Sequence, residues 1–494
     1  MDNGTHGMKS SPLEVNRTPI RLVADSARVI TRCFLPDGPG RIETVVDRVL
    51  TLSDQEVSSL LDPLVEDYAR RHRDIEGAFN RNFEVIVPHL NGRAPLPESR
   101  RMLIGAYFTM EYSLESVALF NPSMTPHPDQ SGLAPGATRF LMSLRACGEG
   151  HISSIVFRSG VIDSSNDISM DSASAFAATE QPVDDKLYNK ARFFRKLIEM
   201  GAYNPLADGI LVQLEDMFTI EELQDAIDGL DPERGYRETY RELSRNMMWL
   251  AHSNYHLRFP DDSELSERVI FPVTENESRG IEDARFVRFT DDDGSVKYYA
   301  TYTAYNGFRT LPQFLETADF LHFKVYALNG KCVQNKGMAL FPRKIGGWNY
   351  MISRLDGENI YLLQSDNIHF WNKSRKVRAP MQPWEFIQIG NCGSPIETEA
   401  GWLLLTHGVG PVRQYWLGAL LLDLDDPARV IGHLEEPMLA PTEEERNGYV
   451  PNVVYSCGAM VHQDRLCIPY AAADSTTSIA TVSLPELLSQ LTKS

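Results

Sequence analysis

Apolar residues along the chain follow two rhythms. From about residue 50 to 90, and again from about 184 to 256, they recur every three to four positions, the spacing that gives a helix one apolar face. Leu60, Leu61, Leu64 and Tyr68 carry the first stretch; Ser53 and Glu56 spell a capping box ahead of it, and Pro63 within it predicts a bend or a restart. The second stretch holds LYNKARFFRKLIEMGAY and LVQLEDMF, then a capping box at Thr219 and Glu222 before LQDAIDGL, and Asp231-Pro232 breaks it. Elsewhere short aromatic and β-branched runs are divided by Gly, Pro, Asn and Asp, which predicts strands joined by turns.

Five of these runs share a form: TRFLMSLRA, KYYATYTAY, WNYMISRL, GWLLLTHGV and LCIPYAAAD each end on a polar group, namely Arg145, Thr303, Arg354, His407 and Asp474. The last four follow one another at intervals of 51, 53 and 67 residues, and the step from Arg145 to Thr303 becomes comparable once 161–256 is set aside as a helical insertion. An interval of one four-stranded sheet predicts a five-bladed β-propeller, whose blades surround a central channel. A two-sheet sandwich has similar strand texture. The recurring interval and the polar strand ends, costly unless solvated or used, favour the propeller. The predicted class is mainly β, divided as an N-terminal helical region (1–95), a first part of the propeller (96–183), a helical insertion (184–256) and the remainder of the propeller (257–494). The two helical parts are expected to pack on each other, capping one face or building an oligomer contact.

Composition narrows the function classes. The 494 residues include 48 Lys and Arg against 67 Asp and Glu, a net charge of −19, with 43% hydrophobic residues. Such a chain can bury a substantial core, and its summed field would repel a nucleic-acid backbone. No apolar run approaches the length of a membrane span, and no leader-like apolar core opens the chain, so a cytoplasmic protein with no nucleic-acid or membrane partner is expected. The six cysteines lie apart without a C-x-x-C pair, which predicts reduced, mostly buried thiols rather than a zinc site or disulfide framework. His252 and His256 have the spacing of ligands on one helix face, but no third ligand accompanies them and packing or surface roles fit better. His151, set among Glu149, Gly150 and two serines, reads as a hydrogen-bonded turn histidine. No P-loop or complete dinucleotide fingerprint occurs.

The chemistry concentrates in Glu275-Asn276-Glu277-Ser278-Arg279-Gly280-Ile281-Glu282-Asp283-Ala284-Arg285-Phe286. One of the adjacent carboxyls, pocketed with a raised pKa, would serve as a general acid while the other pairs with guanidinium; a solvated acidic turn is the plainer alternative. GIEDARF followed by YYATYTAY resembles the Gly-x-Glu-Asp-Pro-Arg segment and following strand of glycoside hydrolase family 130, which contains β-mannoside phosphorylases and β-mannosidases on a five-bladed propeller. The likeness continues through ALFPRKIGGWNYMISR, SPIETEAGWLLLTHGV, GYVPNVVYSCGA and IPYAAADSTTSIA, and reaches back to ALFNPSMTPHP and RFLMSLRA. It spans roughly 118–160 and 257–484, with Ala284 where proline is usual; the helical segments look like additions found in longer members.

The resemblance implies Asp283 as general acid, its proton relayed through a sugar hydroxyl in related enzymes. It implies Asn121, Arg145 and Asp474 as sugar contacts, with Glu282 and Tyr302 grouped among them. Arg354 matches a phosphate-binding arginine; Lys336 falls near another cationic position, and His407 offers a donor at the channel mouth. Glu397 stands where similar phosphorylases commonly carry lysine. An inverting hydrolase needs a second carboxylate ~6.5–9.5 Å from the acid, whereas an inverting phosphorylase needs cations for the attacking phosphate. The cations favour phosphorolysis of a mannose-containing oligosaccharide to α-mannose 1-phosphate, with inorganic phosphate as co-substrate, no cofactor, no metal and a possible homo-oligomer. Hydrolysis with Glu397 as base and a non-catalytic carbohydrate-binding propeller are the alternatives.

Overall fold

Among the described residues the strand-forming runs assemble into five antiparallel-rich sheets of four or more strands, beside two two-stranded ribbons, Val29–Cys33 with Thr109–Ser113 and Tyr188–Asn189 with Met217–Phe218. The computed structural model describes residues 13–90, 92–93, 95–179, 181–182, 187–230, 236–307 and 310–493. The first sheet starts with Ala118–Pro126, Thr138–Cys147 and Ser153–Ile162, and the second with Ile281–Thr290, Val296–Tyr305, Thr310–Thr317 and His322–Ala327. The third comprises Ala339–Leu340, Asn349–Ser353, Ile360–Ser365 and Lys373–Arg378. In the fourth, Gln388–Asn391 and Ile396–Thr398 both pair with Gly401–Val409, followed by Tyr415–Leu422 and Val430–His433. In the fifth, Val454–Tyr455 and Met460–His462 pair with Arg465–Ala472, followed by Thr476–Ser483.

Backbone and hydroxyl hydrogen bonds tie each sheet to the next. Phe286 N donates to Ser123 Oγ at 3.0 Å between the first and second sheets, and Thr290 N to Pro342 O at 2.9 Å between the second strand set and the segment following Ala339–Leu340. Ile389 N donates to Glu358 O, Tyr415 N to Asn452 O, and Cys457 N to Pro122 O, the last returning from the fifth sheet to the first. Apolar side chains fill the spaces between sheets. Phe157 meets Phe286, Tyr302 and Leu315 between the first and second. Phe341 and Ile352 meet Trp402 and Leu404 between the third and fourth, and Leu405 and Leu417 meet Ile468 and Tyr470 between the fourth and fifth.

All five runs that end on a polar group are strands, but each is the second in its sheet. The leading strands are shorter or less apolar, and the sequence rhythm passes over them. Two carry a one-residue register shift: Phe120 pairs with Arg145 and Ser123 with Ser143, and Glu282 pairs with Thr303 and Arg285 with Thr301. Such bulges redirect a side chain out of the pleat.

Eight of the described α-helices form two groups with separate cores, while Leu484–Leu491 packs on the fourth and fifth sheets. Arg41–Leu50, Asp54–Tyr68, Ile75–Ile86 and Glu98–Tyr107 pack around Phe79, Phe83, Leu103 and Phe108. Lys190–Glu199, Pro205–Leu211, Ile220–Asp228 and Arg237–His252 pack around Phe193, Phe218, Leu243 and Met247. The expected mutual core between these groups is not formed among the described residues, because each apolar face is closed by its own group. Both capping boxes are present, at Ser53 with Glu56 and at Thr219 with Glu222. Asp54–Tyr68 continues through Pro63 as one helix. The break expected at Asp231-Pro232 lies outside the described residues. Within the N-terminal segment, Val15–Leu22 is a strand paired with Thr476–Ser483, so this stretch completes the edge of the fifth sheet rather than joining the helices. His256 lies on the strand Tyr255–Arg258, past the end of the helix that carries His252, so the two share no helix face. Of the cysteines, Cys33 is exposed and the other five are buried, all as free thiols. No described helix is long and apolar enough to cross a membrane.

Candidate active site

Three side chains reach one hollow because their backbones adopt a conformation few residues tolerate. Asn121, Asp283 and Asp474 have φ of 49°, 55° and 49°. Asn and Asp accept this left-handed region more readily than other non-glycine residues. At the bulges the twist turns Asn121 and Asp283 toward each other, and Asn121 Nδ2 donates to Asp283 Oδ1 at 2.7 Å.

Arg145, from the neighbouring strand of the first sheet, lies 3.6 Å from Asp283 Oδ1 and donates to Glu282 Oε1 at 3.1 Å. Its guanidinium rests on the Phe120 ring, 5.0 Å from the centroid. Lys336 closes the other side of Glu282 by an ion pair to Oε2. The Asp283, Glu282 and Arg145 side chains keep 16%, 13% and 19% exposure, so the hollow opens to solvent.

Behind them lies a cationic wall. Arg285 is 2% exposed; its Nη1 donates to Asp283 O at 3.2 Å and its Nη2 to the Tyr455 hydroxyl at 2.6 Å. The Tyr455 ring meets His407 at 4.9 Å, and Arg354 Nη1 donates to His407 Nε2 at 3.2 Å. His407 therefore carries its proton on Nδ1, which faces Cys392 Sγ at 3.8 Å. Burial, then Arg354 and Arg285, push the imidazole pKa well below its usual value, so His407 is neutral. It holds Arg354 in place; the expectation of a donor at the mouth gives way because Nε2 is an acceptor and the ring is buried.

The electrostatics set two carboxyls apart. Burial raises the Asp283 pKa, but Arg145, Arg285, Lys336 and the Asn121 hydrogen bond outweigh it and hold the group below its ordinary value. Asp474 is pushed up to about 7 by burial and then by Asp283, against Arg145 and Arg413. Asp283 is therefore the ionised carboxylate, and Asp474 takes the proton near neutrality. The raised carboxyl pKa falls on a different residue from the one the motif suggested. Local cations decide this: four groups favour the Asp283 charge, while Asp474 faces that charge.

Several donors have no acceptor. The buried Nε atoms of Arg145, Arg285 and Arg354 lack hydrogen-bond partners among the described residues, as do Asn121 Oδ1 and Asn391 Oδ1. Buried guanidinium nitrogens left unpaired are expensive, and a bound oxyanion or set of hydroxyls would satisfy them. Arg285 and Tyr455 are functional candidates that the residue-by-residue reading did not select, although both lie inside the motifs that prompted it.

Three expected positions lie elsewhere. The Tyr302 hydroxyl donates to buried Glu277 Oε1 at 2.6 Å, inside the core of the second sheet. Thr303 is buried in the ladder opposite Glu282 and Pro312. Glu397 makes two hydrogen bonds to Arg343, at 2.8 and 2.5 Å, and is substantially exposed. It lines a separate cavity of about 330 Å³ with Met124, Phe286, Thr290 and Met460. Met124, Phe286 and Thr290 lie three to seven residues beyond Asn121 and Asp283 on the leading strands, roughly 10–23 Å at about 3.3 Å per residue. The structure does not bring Glu397 to the hollow.

Comparison with known proteins agrees with the motifs. The family model Glyco_hydro_130, described as beta-1,4-mannooligosaccharide phosphorylase, matches residues 235–493. A 1,2-beta-oligomannan phosphorylase of Thermoanaerobacter sp. (strain X514) is 34% identical over 227 residues, covering 45% of this chain and 75% of that protein. A beta-1,2-mannobiose phosphorylase of Listeria innocua serovar 6a is 31% identical over 230 residues, covering 45% of this chain and 63% of that one. The solved complex of a Listeria innocua beta-1,2-mannobiose phosphorylase with beta-1,2-mannobiose aligns with a TM-score of 0.47 and 22% identity, over 78% of this chain and 94% of that one. The chain is an enzyme of glycoside hydrolase family 130.

Proposed function

We propose that the protein cleaves β-mannosidic bonds by phosphorolysis with inversion, on a five-bladed propeller whose blades are the five sheets. The propeller reading is supported by the hydrogen bonds that lead from each sheet to the next and from the fifth back to the first. The activity reading rests above all on the ionised Asp283 with Arg145, Arg285 and Lys336 acting on it and Arg354 held beyond them on His407.

Phosphate enters against Arg354, Arg285 and Lys336. Its negative charge cancels part of the field that keeps Asp283 ionised, so binding favours uptake of a proton there. A phosphate oxygen attacks the anomeric carbon from the face opposite the leaving group. The glycosidic C–O bond breaks, and the departing oxygen takes the proton originating on Asp283, through a sugar hydroxyl as the family resemblance implies. The products are α-mannose 1-phosphate and a shortened acceptor. Asn121, Arg145, Glu282 and Asp474 hold sugar hydroxyls and orient the acid. A hydrolytic base at Glu397 is disfavoured by its pairing with Arg343 and its distance along the strands.

Incubating the protein with β-1,2- and β-1,4-mannobiose, with and without phosphate, tests this reading. Sugar phosphate formed only with phosphate supports it. Free mannose released equally without phosphate favours a hydrolase, and binding without turnover favours a non-catalytic module.

A further inference from the structure

The mechanism leaves unused a pair of rings at the edge of the hollow. His151 sits at the tip of the hairpin joining Thr138–Cys147 to Ser153–Ile162, in the left-handed region with φ 60° after Gly150 at 66°. Tyr449 lies on the segment leading into the fifth sheet. The two rings stack at 5.6 Å and 22°, and the Tyr449 hydroxyl meets His151 Nδ1 at 3.3 Å, across 298 residues of sequence.

Both rings stand on fixed supports. Tyr449 N donates to Ser475 Oγ at 2.7 Å, and Ser475 follows Asp474 directly. A Cβ on Gly448 would lie 2.4 Å from Ser475 Oγ and 2.7 Å from the Ala473 carbonyl oxygen, so only glycine lets this segment approach so closely. On the other side, the Tyr112 hydroxyl donates to Glu149 O at 2.8 Å and pins the hairpin. Tyr449 nevertheless remains 49% exposed. An exposed tyrosine alone is ordinary. Two stacked rings held on locked backbone, with Tyr449 bonded to the residue that follows Asp474, form a ready platform.

The direction of the reaction says what the platform faces. Lys336, Arg354 and His407 approach from the third and fourth sheets, whereas Asn121, Arg145 and Asp474 approach from the first and fifth. Inversion sets nucleophile and leaving group on opposite sides of the anomeric carbon. A phosphate on the cationic side therefore sends the acceptor toward the first and fifth sheets, which carry His151 and Tyr449. Sugar C–H bonds are weakly positive and lie flat on the negative face of an aromatic ring.

We propose that His151 and Tyr449 form an acceptor-side sugar platform that selects the saccharide leaving in phosphorolysis and entering in the reverse reaction. This rests on the phosphorolytic reading. In the synthetic direction, with α-mannose 1-phosphate as donor and a mannobiose as acceptor, Tyr449→Ala raises the acceptor KM roughly three- to tenfold and leaves the donor KM within about twofold. Tyr449→Phe, which keeps the ring, restores most of the acceptor affinity, and His151→Ala shifts the acceptor KM in the same sense as Tyr449→Ala. An unchanged acceptor KM in both alanine variants, or a donor KM raised equally, overturns the platform. If the wild-type protein shows no phosphate-dependent turnover, the phosphorolytic reading fails separately. The platform is then read by calorimetry with β-mannotriose: weaker binding in Tyr449→Ala supports it, and equal affinity overturns it.

Discussion

Asn121 and Asp283 are 162 residues apart in sequence, yet both occupy a bulge on a leading strand, both have positive φ, and they share a 2.7 Å hydrogen bond. Each bulge costs local ladder pairing and a strained backbone. In return, the first two sheets aim an amide at a carboxylate. The Asn121 N–H stabilises the ionised form of Asp283, and its Oδ1 is left buried and unpaired.

Asn121→Asp tests this pairing with little change of shape. The new carboxylate keeps the tolerance for positive φ but replaces a donor with a like charge. The Asp283 pKa rises, and because a general acid works protonated, the alkaline limb of the kcat/KM profile moves to higher pH by about one unit or more. Thermal melting falls by a few degrees at pH 8 and less at pH 5. A profile identical to wild type would show that the hydrogen bond does not tune the acid.

Asp283→Asn removes the proton donor while keeping a residue suited to φ 55°. Turnover of mannobiose falls about 10²–10⁴-fold. An activated aryl mannoside, whose leaving group needs little protonation, loses much less. Equal losses on both substrates would point to a structural role.

Arg354→Ala removes an anion-facing guanidinium. The KM for phosphate rises roughly 10–100-fold, as expected for loss of about 1.5–3 kcal/mol from a charged hydrogen bond, while mannoside binding changes little. Glu397→Gln is the contrasting variant. Its exposed pair with Arg343 contributes at most about 1 kcal/mol, so activity stays within about twofold. Abolished activity in Glu397→Gln would restore it as a base.

Asp474 gives a stability signature with a definite sign. Its pKa is about 7 in the folded chain against 3.8 ordinarily. Between about pH 4 and 7 the folded chain holds a proton that the unfolded chain has lost, so the stability contribution is full at low pH and is lost as pH rises through 7. Asp474→Asn escapes this loss. Its melting temperature gains on the wild type as pH rises from 4 to 7 and the gain levels off above 7, reaching at least about 1 kcal/mol, roughly 1–2 °C for a chain of this length. Calorimetric scans across that range check it. Turnover meanwhile falls, because a sugar contact is lost.

Much of this site was legible because strands with strong apolar runs end on its polar groups. Arg145, Arg354, His407 and Asp474 were all found by that rhythm, and the motif around Asp283 supplied the proposed acid. The leading strands were harder to see. Ala339–Leu340 and Val454–Tyr455 are two residues each, too short for a period, so Tyr455 stayed hidden although it anchors Arg285. Tyr302 misled for the opposite reason: a regular aromatic strand alternates faces, and its ring turns into the core between the first and second sheets. The pKa order of Asp283 and Asp474 depends on guanidinium groups from several sheets, which no local sequence window contains. Glu397 looked catalytic from its place in a motif, but Arg343, 54 positions away, takes up its charge at the other end of the strands.

The central claim is an inverting attack by phosphate with Asp283 as the proton source. Proton NMR of the first turnover products from β-mannobiose and phosphate reads it most directly. The account predicts α-mannose 1-phosphate as the initial sugar product, absent in Asp283→Asn. Formation of β-mannose 1-phosphate, or of free mannose at the same rate without phosphate, would contradict it.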